Sequence, residues 1–242
     1  MLYTVSRIPK GRGKFREIYI PSSEYRLELR SMLPVLDEIL SRLDIYKFNY
    51  AFQKNRNCAL NALQHIGYKC TLSMDLEGFF DSITPAHLSG LVPDNIIERC
   101  FINGHPRQGL PTSPAISNIA FLECDKQIIL ALQKLSIKIA YTRYADDLTV
   151  SFDDKKDSGK IKCILQQAAE RCGFKINHQK TKLQESTNGR VVITGIAVDR
   201  NGLHATRRTK KNLRAAIHQQ NKASVNGLTE WSRCKLPNDY FV

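Results

Sequence analysis

The sequence predicts an α+β fold, and three observations support that prediction. Apolar residues recur at three- and four-residue spacing in some segments, which is typical of amphipathic helices. In other segments they alternate with polar residues, as in half-buried strands. The two kinds of segment mix without the strict strand–helix–strand alternation of a parallel sheet. With 242 residues and 42% hydrophobic content, the chain can bury one substantial core or two smaller ones.

The N-terminal part of the chain begins with a strand and a helix. Residues 12–20 follow a glycine turn and have the pattern of a strand. Leucine and methionine recur at helical spacing over 29–43, which predicts one long amphipathic helix, and Pro34 predicts a kink or a break within it. Residues 71–76 alternate in polarity and predict a half-buried strand whose polar side carries Asp75.

A second helix is predicted to start at Ser113, with serine as the N-cap and Pro114 at the first helical position. Its apolar stripe continues to Leu135. The remaining predicted elements follow in chain order: hairpin strands over 137–144 and 148–152, a helix over 161–172 that ends at Gly173, strands over 174–176 and 191–198, and a basic, partly helical segment over the last forty residues.

The formal net charge is +13, and the basic residues are interleaved through ordinary globular sequence. A folded basic protein most often binds a polyanion, and nucleic acid is the commonest one. A generically basic soluble protein is the alternative that charge alone leaves open.

Cysteine usage and hydropathy indicate a cytoplasmic protein that does not enter a membrane. The seven cysteines include no Cys-x-x-Cys pair, which argues against a disulfide framework and against structural zinc. No run of 18 apolar residues is present, and the N-terminus lacks the apolar stretch of a signal peptide.

Two adjacent acids, Asp146 and Asp147, lie at the tip of the predicted hairpin in a Tyr-x-Asp-Asp sequence. Like charges between apolar strands are unfavourable, so a bound cation would compensate, although an ordinary Asp-rich turn is the alternative. Asp75 ends a second apolar strand and favours the cation. Three carboxylates at neighbouring strand ends suit two Mg²⁺ ions, with Mn²⁺ as a substitute, that serve the attacking and leaving oxygens of a phosphoryl transfer.

Motifs between about residues 12 and 200 resemble, in the same order, the core motifs of reverse transcriptases. The catalytic hairpin and an Asn-Ala-x-x-His sequence resemble the retron type in particular. The segments that carry the resemblance are Lys14-Phe15-Arg16, Ala51-Phe52 with Arg56, Asn61-Ala62-x-x-His65, Asp75-x-x-x-Phe79-Phe80, Gln108 to Pro114, Tyr144 to Asp147, Gly173 to Asn177 with Lys180-Thr181, and Ile193-Thr194-Gly195.

The resemblance implies a right-hand polymerase. Fingers are expected over 1–66, a palm of antiparallel sheet plus helices over 67–200, and a short basic thumb over 201–242, with part of 85–112 assigned either to the palm or to the fingers. The chain departs from the family's usual pattern at two positions. Arg107 precedes the Gln-Gly pair, where proline is usual, and Asp81 follows the paired aromatics, where retron enzymes commonly carry proline.

The resemblance also implies roles for residues at the reaction centre. Asp75 and Asp146 are implied to be the primary metal ligands, with Asp147 as a supporting carboxylate. Leu76 is implied to contribute both to metal binding and to binding of the incoming nucleotide. Lys180 is the candidate proton donor to the departing pyrophosphate, and its rivals are Lys175 and Lys182.

Besides Leu76, five residues are implied to hold the incoming nucleotide: Lys14, Arg16, Phe80, Gln108 and Gly109. The first two would bind the triphosphate, the phenylalanine would block a ribose 2′-hydroxyl, and the Gln-Gly pair would contact sugar or base. A solvated strand charge, a core aromatic and an ordinary loop are the respective alternatives.

Nucleic acid is implied to contact two further groups of residues. Asn61 and His65 belong to the retron-like motif, although a satisfied core histidine is an equal alternative for the second. The other group is basic and is expected to follow duplex phosphates, with a solvated helix face as the alternative: Arg207, Arg208, Lys210, Lys211 and Arg214.

The predicted activity is RNA-directed DNA synthesis. Retron resemblance implies a cognate structured noncoding RNA as template, deoxynucleotides as substrates, a DNA product and a role in phage defence, with an effector protein left open as a partner. The alternatives are another bacterial defence or intron-type reverse transcriptase, and a catalytically silent RNA-binding scaffold.

Overall fold

The computed structural model describes residues 1–11, 13–43 and 47–236, apart from the side chain of Lys14. In chain order its helices and strands are β1 (Tyr3–Gly11), β2 (Lys14–Pro21), α1 (Ser23–Ser31), α2 (Leu33–Arg42), α3 (Cys58–Leu63), β3 (Cys70–Leu76), α4 (Phe79–Ser82), α5 (Asp94–Cys100), α6 (Ser113–Ala120), α7 (Leu122–Gln133), β4 (Ile139–Tyr144), β5 (Asp147–Phe152), α8 (Ser158–Arg171), β6 (Ile176–Glu185), β7 (Val191–Ile193), β8 (Ile196–Asp199), β9 (Gly202–Ala205), α9 (Arg207–His218) and α10 (Lys222–Ser232).

The chain divides into two compact units. The first comprises Met1–Lys47, Glu77–Gln127 and Ala168–Lys175, and the second comprises Phe48–Leu76, Ile128–Gln167 and Ile176–Val242. These units cut across the boundaries predicted for fingers and palm, because 48–66 clusters with the second unit.

In the first unit, β1 and β2 form an antiparallel hairpin with an irregularity between Pro9 and Gly11. Three phenylalanines form an aromatic cluster: the ring of Phe79 lies 5.7 Å from Phe121 and 5.8 Å from Phe174. All three rings are buried. The cluster therefore fixes α4 although this four-residue helix is far too short to be stable alone.

The second unit is built on a four-stranded antiparallel sheet with the order β4-β5-β3-β6. The central strands β3 and β5 are almost wholly buried, whereas β6 at the edge is largely exposed. A second, three-stranded sheet has the order β7-β8-β9. Its apolar residues pack with Ala62 of α3, so this helix joins the core of the smaller sheet.

Two helices, α9 and α10, follow the smaller sheet, and α9 is strongly basic. The hydroxyl of Thr206 caps α9 by accepting a hydrogen bond from the backbone N–H of Thr209 at 3.1 Å. Asn221 caps α10 in the same way through the N–H of Ser224. The prediction that this segment is partly helical is confirmed. Within the described residues, no helix combines the length and the apolar character needed to cross a bilayer.

Several predicted elements are confirmed. The strand predicted over 71–76 is β3, the predicted hairpin is β4–β5, and the helix predicted over 161–172 is α8. The helix predicted over 29–43 is interrupted at Met32, and Pro34 lies in the first turn of α2, where its missing N–H costs no intrahelical bond. The strand predicted over 12–20 corresponds to β2, and Arg12 lies outside the described residues.

Three predictions about elements are wrong. Ser113 is the first residue of α6 and not its N-cap, because its hydroxyl donates to the carbonyl of Arg107 at 2.7 Å. The helix predicted to continue to Leu135 is divided at Phe121 into α6 and α7. The strand predicted over 191–198 is two strands, since Thr194 and Gly195 both have positive φ and form a turn.

Candidate active site

The palm-like sheet brings two of the predicted carboxylates together. Asp75 of β3 is the direct cross-strand partner of Asp147 of β5, and directly opposed residues have Cβ atoms about 4.5–5.5 Å apart. The backbone N–H of Leu76 donates to the carbonyl of Asp146 at 2.9 Å, which ties the hairpin tip to the end of β3. Asp75 is buried and the other two acids are half-buried.

The hairpin tip itself is strained. Ala145 has a φ of 56°, a left-handed conformation that costs free energy in a residue with a Cβ atom. Arg143, in the preceding strand, is completely buried and its Nη1 donates to the carbonyl of Ala145 at 3.4 Å. The turn is therefore held by a buried cation, and it presents two adjacent acids that repel each other.

Burial and electrostatic repulsion at this tip change the pKa of Asp147. Burial, followed by the negative charges of Asp146 and Asp75, raises this pKa from 3.8 to about 6. An ionised carboxylate in this position is thus unfavourable without a counter-charge. The site as folded has a deficit of positive charge that a bound cation would correct.

Lys180 of β6 supplies part of that counter-charge. Its Nζ donates to both carboxylate oxygens of Asp75, at 2.7 and 2.8 Å, and this contact raises the pKa of the lysine. The ammonium group is therefore protonated at neutral pH. Of its two predicted rivals as proton donor, Lys182 lines a cleft together with Lys180, Asp75 and Asp147. Lys175 belongs to the first unit.

The carboxylates line a cleft of about 430 Å³, which we call the carboxylate cleft. It lies entirely within the second unit. Besides Asp75, Asp147 and Lys180, its walls include Thr149 and the Thr194-Gly195 turn. The retron-like Ile193-Thr194-Gly195 sequence thus borders the same space as three of the catalytic candidates.

The donor set fits a hard divalent cation. Magnesium prefers a few carboxylate oxygens and keeps its other positions for water and phosphate. Among the described residues, no three His, Cys, Asp or Glu side chains form a closed cluster for a metal ion. The fit thus rests on carboxylates from two strand ends and on the raised pKa of Asp147. Leu76 could contribute only backbone atoms, because its side chain is buried and apolar.

The first unit contains the residues predicted to hold the nucleotide, apart from Leu76. Arg16 and Gln108 line a cleft of about 330 Å³, which we call the Gln108 cleft. Phe80 of α4 is half-buried beside the ring of Phe79, at 5.7 Å. Lys14 lies in β2, but its side chain is outside the described part of the structure.

Gly109 has a structural reason to be glycine. Its φ is +106°, and a Cβ atom there would lie 2.3 Å from the carbonyl oxygen of Tyr19. The N–H of Tyr19 also donates to the carbonyl of Gln108 at 2.8 Å. The Gln-Gly loop is therefore fastened to β2 at a distance that no larger residue permits.

Asn61 and His65 are buried in the second unit. The ring of His65 forms hydrogen bonds to Ser151 Oγ at 2.9 Å and Thr142 Oγ1 at 2.7 Å, and burial lowers its pKa from 6.5 to about 3. Asn61 Nδ2 donates to Thr194 Oγ1 at 3.4 Å. Both side chains pack within the protein, so an effect on RNA would act through the surface that they support.

The five basic residues predicted to follow duplex phosphates all lie on α9 and are exposed. Buried apolar contacts on the opposite side of this helix are few, with Ala216 the main example. The helix therefore offers a cationic surface to solvent.

Two arginines have structural roles at these sites that were not predicted from the sequence. Arg143 supports the strained turn, and its only sequence signal is a charge within an apolar strand. Arg107 forms an ion pair with Asp81 at 2.7 Å. Both members of that pair had been singled out as departures from the family's pattern, and the structure shows that the two departures are in contact.

Comparison with known protein families identifies the family of this chain. The family described as reverse transcriptase (RNA-dependent DNA polymerase) matches residues 8–213. The chain belongs to the reverse transcriptase family.

Within this family the chain is of the bacterial retron type. It is 33% identical to the retron Ec86 reverse transcriptase of Escherichia coli over 90% of this chain and 68% of that protein. It is 29% identical to the retron Mx65 reverse transcriptase of Myxococcus xanthus, over 97% of this chain. The chain spans 62% of the length of the Mx65 enzyme.

Solved structures share the fold. Telomerase from Candida albicans, in complex with a fragment of telomeric RNA, matches with a TM-score of 0.60 at 15% identity, covering 84% of this chain and 45% of that one. The foamy viral protease-reverse transcriptase in complex with double-stranded DNA matches with a TM-score of 0.56 at 16% identity, over 88% of this chain and 32% of that one. The predicted α+β polymerase fold is confirmed.

Proposed function

We propose that the chain is the catalytic core of a retron-type RNA-directed DNA polymerase, which copies a structured noncoding RNA into DNA. The observation that carries this proposal is the pairing of Asp75 with Asp147 across β3 and β5, next to Asp146 in a strained turn. Clustered acids would repel the phosphates of a nucleic acid in a protein that only binds it. They suit a protein that recruits divalent cations to those phosphates.

Asp75, Asp146 and Asp147 would hold two Mg²⁺ ions, or Mn²⁺ in their place. When bound, these ions activate the attacking hydroxyl oxygen and neutralise charge on the leaving pyrophosphate. The chain's own contribution is to keep the carboxylates at fixed strand ends, which the ladder between β3 and β5 does.

Lys180 would donate a proton to the departing pyrophosphate. Its ammonium group is exposed enough to leave Asp75, with 61% of the side chain accessible, and its raised pKa keeps it protonated at neutral pH. A positioned proton donor near a developing phosphate charge contributes to the rate as a general acid.

The incoming deoxynucleotide would be held by residues of the first unit. Arg16 is exposed on β2 and suits bidentate contact with the triphosphate, and Lys14 is assigned the same role from the sequence. Phe80 would exclude a ribose 2′-hydroxyl by steric overlap, while Gln108 and the backbone at Gly109 would contact the sugar or base.

The template–product duplex would be held by the cationic face of α9. Such contacts bind phosphates without reading sequence. We assign 1–66 to fingers, 67–200 to palm and 201–242 to thumb as part of this proposal. A role in phage defence, with an effector protein as partner, follows from the retron type and belongs to the proposal as well.

Sequencing the nucleic acid that co-purifies with the protein tests this function. Wild type and Asp146→Asn are expressed with the native flanking DNA, and the bound nucleic acid is sequenced before and after RNase treatment. We expect one abundant structured RNA in both preparations, and complementary DNA in the wild type alone. Heterogeneous DNA with no single template would indicate another class of bacterial reverse transcriptase. RNA without DNA in either preparation would indicate a catalytically silent scaffold.

A further inference from the structure

Arg107 is fastened by three different interactions within the first unit. Its Nη1 donates to Asp81 Oδ1 at 2.7 Å, and its Nε donates to the carbonyl of Ile102 at 3.0 Å. Its guanidinium also lies 5.3 Å from the centre of the Tyr19 ring. Only 16% of the side chain is exposed. The guanidinium donates two hydrogen bonds from its edge and packs its face on an aromatic ring. These contacts leave it little freedom to move towards a ligand.

Arg107 and two of its partners, Asp81 and Tyr19, belong to three segments that carry nucleotide-site candidates. Asp81 immediately follows Phe80 in α4, and Tyr19 lies in β2 with Arg16. Arg107 itself precedes Gln108. The Arg107 side chain therefore links three segments. They are β2 and the Gln-Gly loop, which border the Gln108 cleft, and α4, which bears Phe80.

Phe80 is held from both sides. On one side Phe79 is anchored in the aromatic cluster, and on the other Asp81 is bound to Arg107. A four-residue helix has no intrinsic stability, so these two anchors determine where the ring between them lies.

Arg107 is paired with an acid, which distinguishes it from two other cations that line the Gln108 cleft. Two ion pairs are present on its walls, Arg7 with Glu17 at 3.1 Å and Arg107 with Asp81. The other two cations of the lining, Lys10 and Arg16, form no ion pair within the described residues. These two are left for an anionic ligand, whereas the charge of Arg107 is already neutralised.

We infer that Arg107 is a positioning residue for nucleotide selection: its bridge to Asp81 holds Phe80 and Gln108 in register, and it does not bind the triphosphate. This inference rests on the proposed function, since it concerns how the same site distinguishes deoxynucleotides from ribonucleotides. It also gives one structural reason for both positions, 81 and 107, at which the chain departs from the family's usual pattern.

Steady-state incorporation of a single dNTP or the matching rNTP on a primed RNA template tests the inference. We compare wild type with Arg107→Ala, Arg107→Lys, Asp81→Asn and the double variant Asp81→Asn/Arg107→Ala. Arg99→Ala is the matched control, because Arg99 forms an ion pair with Glu28 at 3.3 Å and does not line the cleft. The midpoint of thermal unfolding is recorded for each protein.

We expect Arg107→Ala to reduce the preference for dNTP over rNTP by about tenfold, since it removes all three anchors. Asp81→Asn should reduce it by about threefold, because Asp81 is 66% exposed and exposed ion pairs are weak. The double variant should be no worse than Arg107→Ala, since both changes break one link. Arg107→Lys should be intermediate, and Arg99→Ala should equal wild type.

Two results with an active wild type would overturn the inference. Equal losses for dNTP and rNTP would reduce Arg107 to a structural role. A lower KM for dNTP in Asp81→Asn would mean that the freed arginine binds the triphosphate directly. A wild type that incorporates neither nucleotide contradicts the proposed function itself, and the inference with it. Asp81→Asn and Arg107→Lys keep the test decisive if Arg107→Ala fails to fold.

Discussion

Ionisation of Asp147 lowers the stability of the metal-free protein, whereas metal binding requires it. Its pKa is raised to about 6, first by burial and then by two neighbouring acids. A raised pKa in the folded state means that stability is full below pH 4, where the group is protonated in both states, and is lost as pH rises through 6. A bound cation would offset the cost of ionising Asp147 at neutral pH.

Asp147→Asn should therefore stabilise the metal-free protein while abolishing DNA synthesis. With EDTA present, we expect an increase in the free energy of unfolding of about 1–2 kcal/mol at pH 7.5 and no increase at pH 4. Thermal or urea denaturation across this pH range measures the difference. A variant less stable than wild type at pH 7.5 would show that ionised Asp147 is already compensated.

Lys180 competes with a metal ion for Asp75. Lys180→Gln should bind Mn²⁺ more tightly than wild type, because one cation is removed from the carboxylates. The same variant should synthesise DNA more slowly, by about 10²-fold, since general acids contribute about that much. Titration followed by Mn²⁺ electron paramagnetic resonance gives the affinity, and primer extension gives the rate.

Lys182→Gln is the matched control for that experiment. It removes the same charge from the same strand and the same cleft, without the contact to Asp75. If both variants bind Mn²⁺ alike, the bond between Lys180 and Asp75 has no specific role, and Lys182 remains a rival proton donor.

At the scale of elements, the buried strands and helices were predictable, whereas two exposed strands, β6 and β1, were not. β3, β5 and α8 bury a regular apolar pattern, so periodicity found them. β6 is an edge strand with mainly polar residues, and only its first residue fell within the strand predicted over 174–176. β1 is exposed along most of its length and gave no signal, because its pairing with β2 is a backbone interaction.

His65, in the turn after α3, ties this segment to the four-stranded sheet. Because burial lowers its pKa to about 3, the ring is neutral, and its contribution to stability is present above pH 6.5 and is lost as pH falls towards 3. We expect His65→Ala to cost about 2–4 kcal/mol at pH 7.5, since it leaves a cavity and two hydroxyls without their partner.

Chemical denaturation at several pH values checks this prediction. The exposed His178→Ala, on β6, is the control and should change stability by less than about 0.5 kcal/mol. If His65→Ala were as stable as wild type but had lost RNA binding, the buried histidine would have a direct role in recognition.

At the scale of the whole molecule, the net charge of +13 predicted a polyanionic partner, and the motif order predicted the family. The three aspartates were predictable because each sits in a local motif. The ion pair between Arg107 and Asp81 was not, since 26 residues separate its members and nothing in the sequence places them in contact. The two compact units were likewise not predictable, because each is assembled from three separate stretches of chain.

The cationic face of α9 should govern how binding to an RNA–DNA duplex depends on salt. Removing two of its charges, with Arg208→Gln and Lys211→Gln, should reduce the slope of log K against log salt by roughly 1.5. Fluorescence anisotropy at several salt concentrations measures the slope. Lys160→Gln/Lys162→Gln on α8 removes the same charge elsewhere, and an equal change in that variant would argue against α9 as the duplex contact.

The measurement that tests the central claim most directly is primer extension on an RNA template, run beside RNA binding. Wild type and Asp146→Asn are assayed with deoxynucleotides and Mg²⁺, and the affinity of each for the primed template is measured in parallel. We predict that the wild type extends the primer, and that Asp146→Asn loses extension by at least about 10³-fold while its affinity stays within about threefold. Retained extension in Asp146→Asn, or lost binding with extension intact, would contradict the assignment of these carboxylates to catalysis.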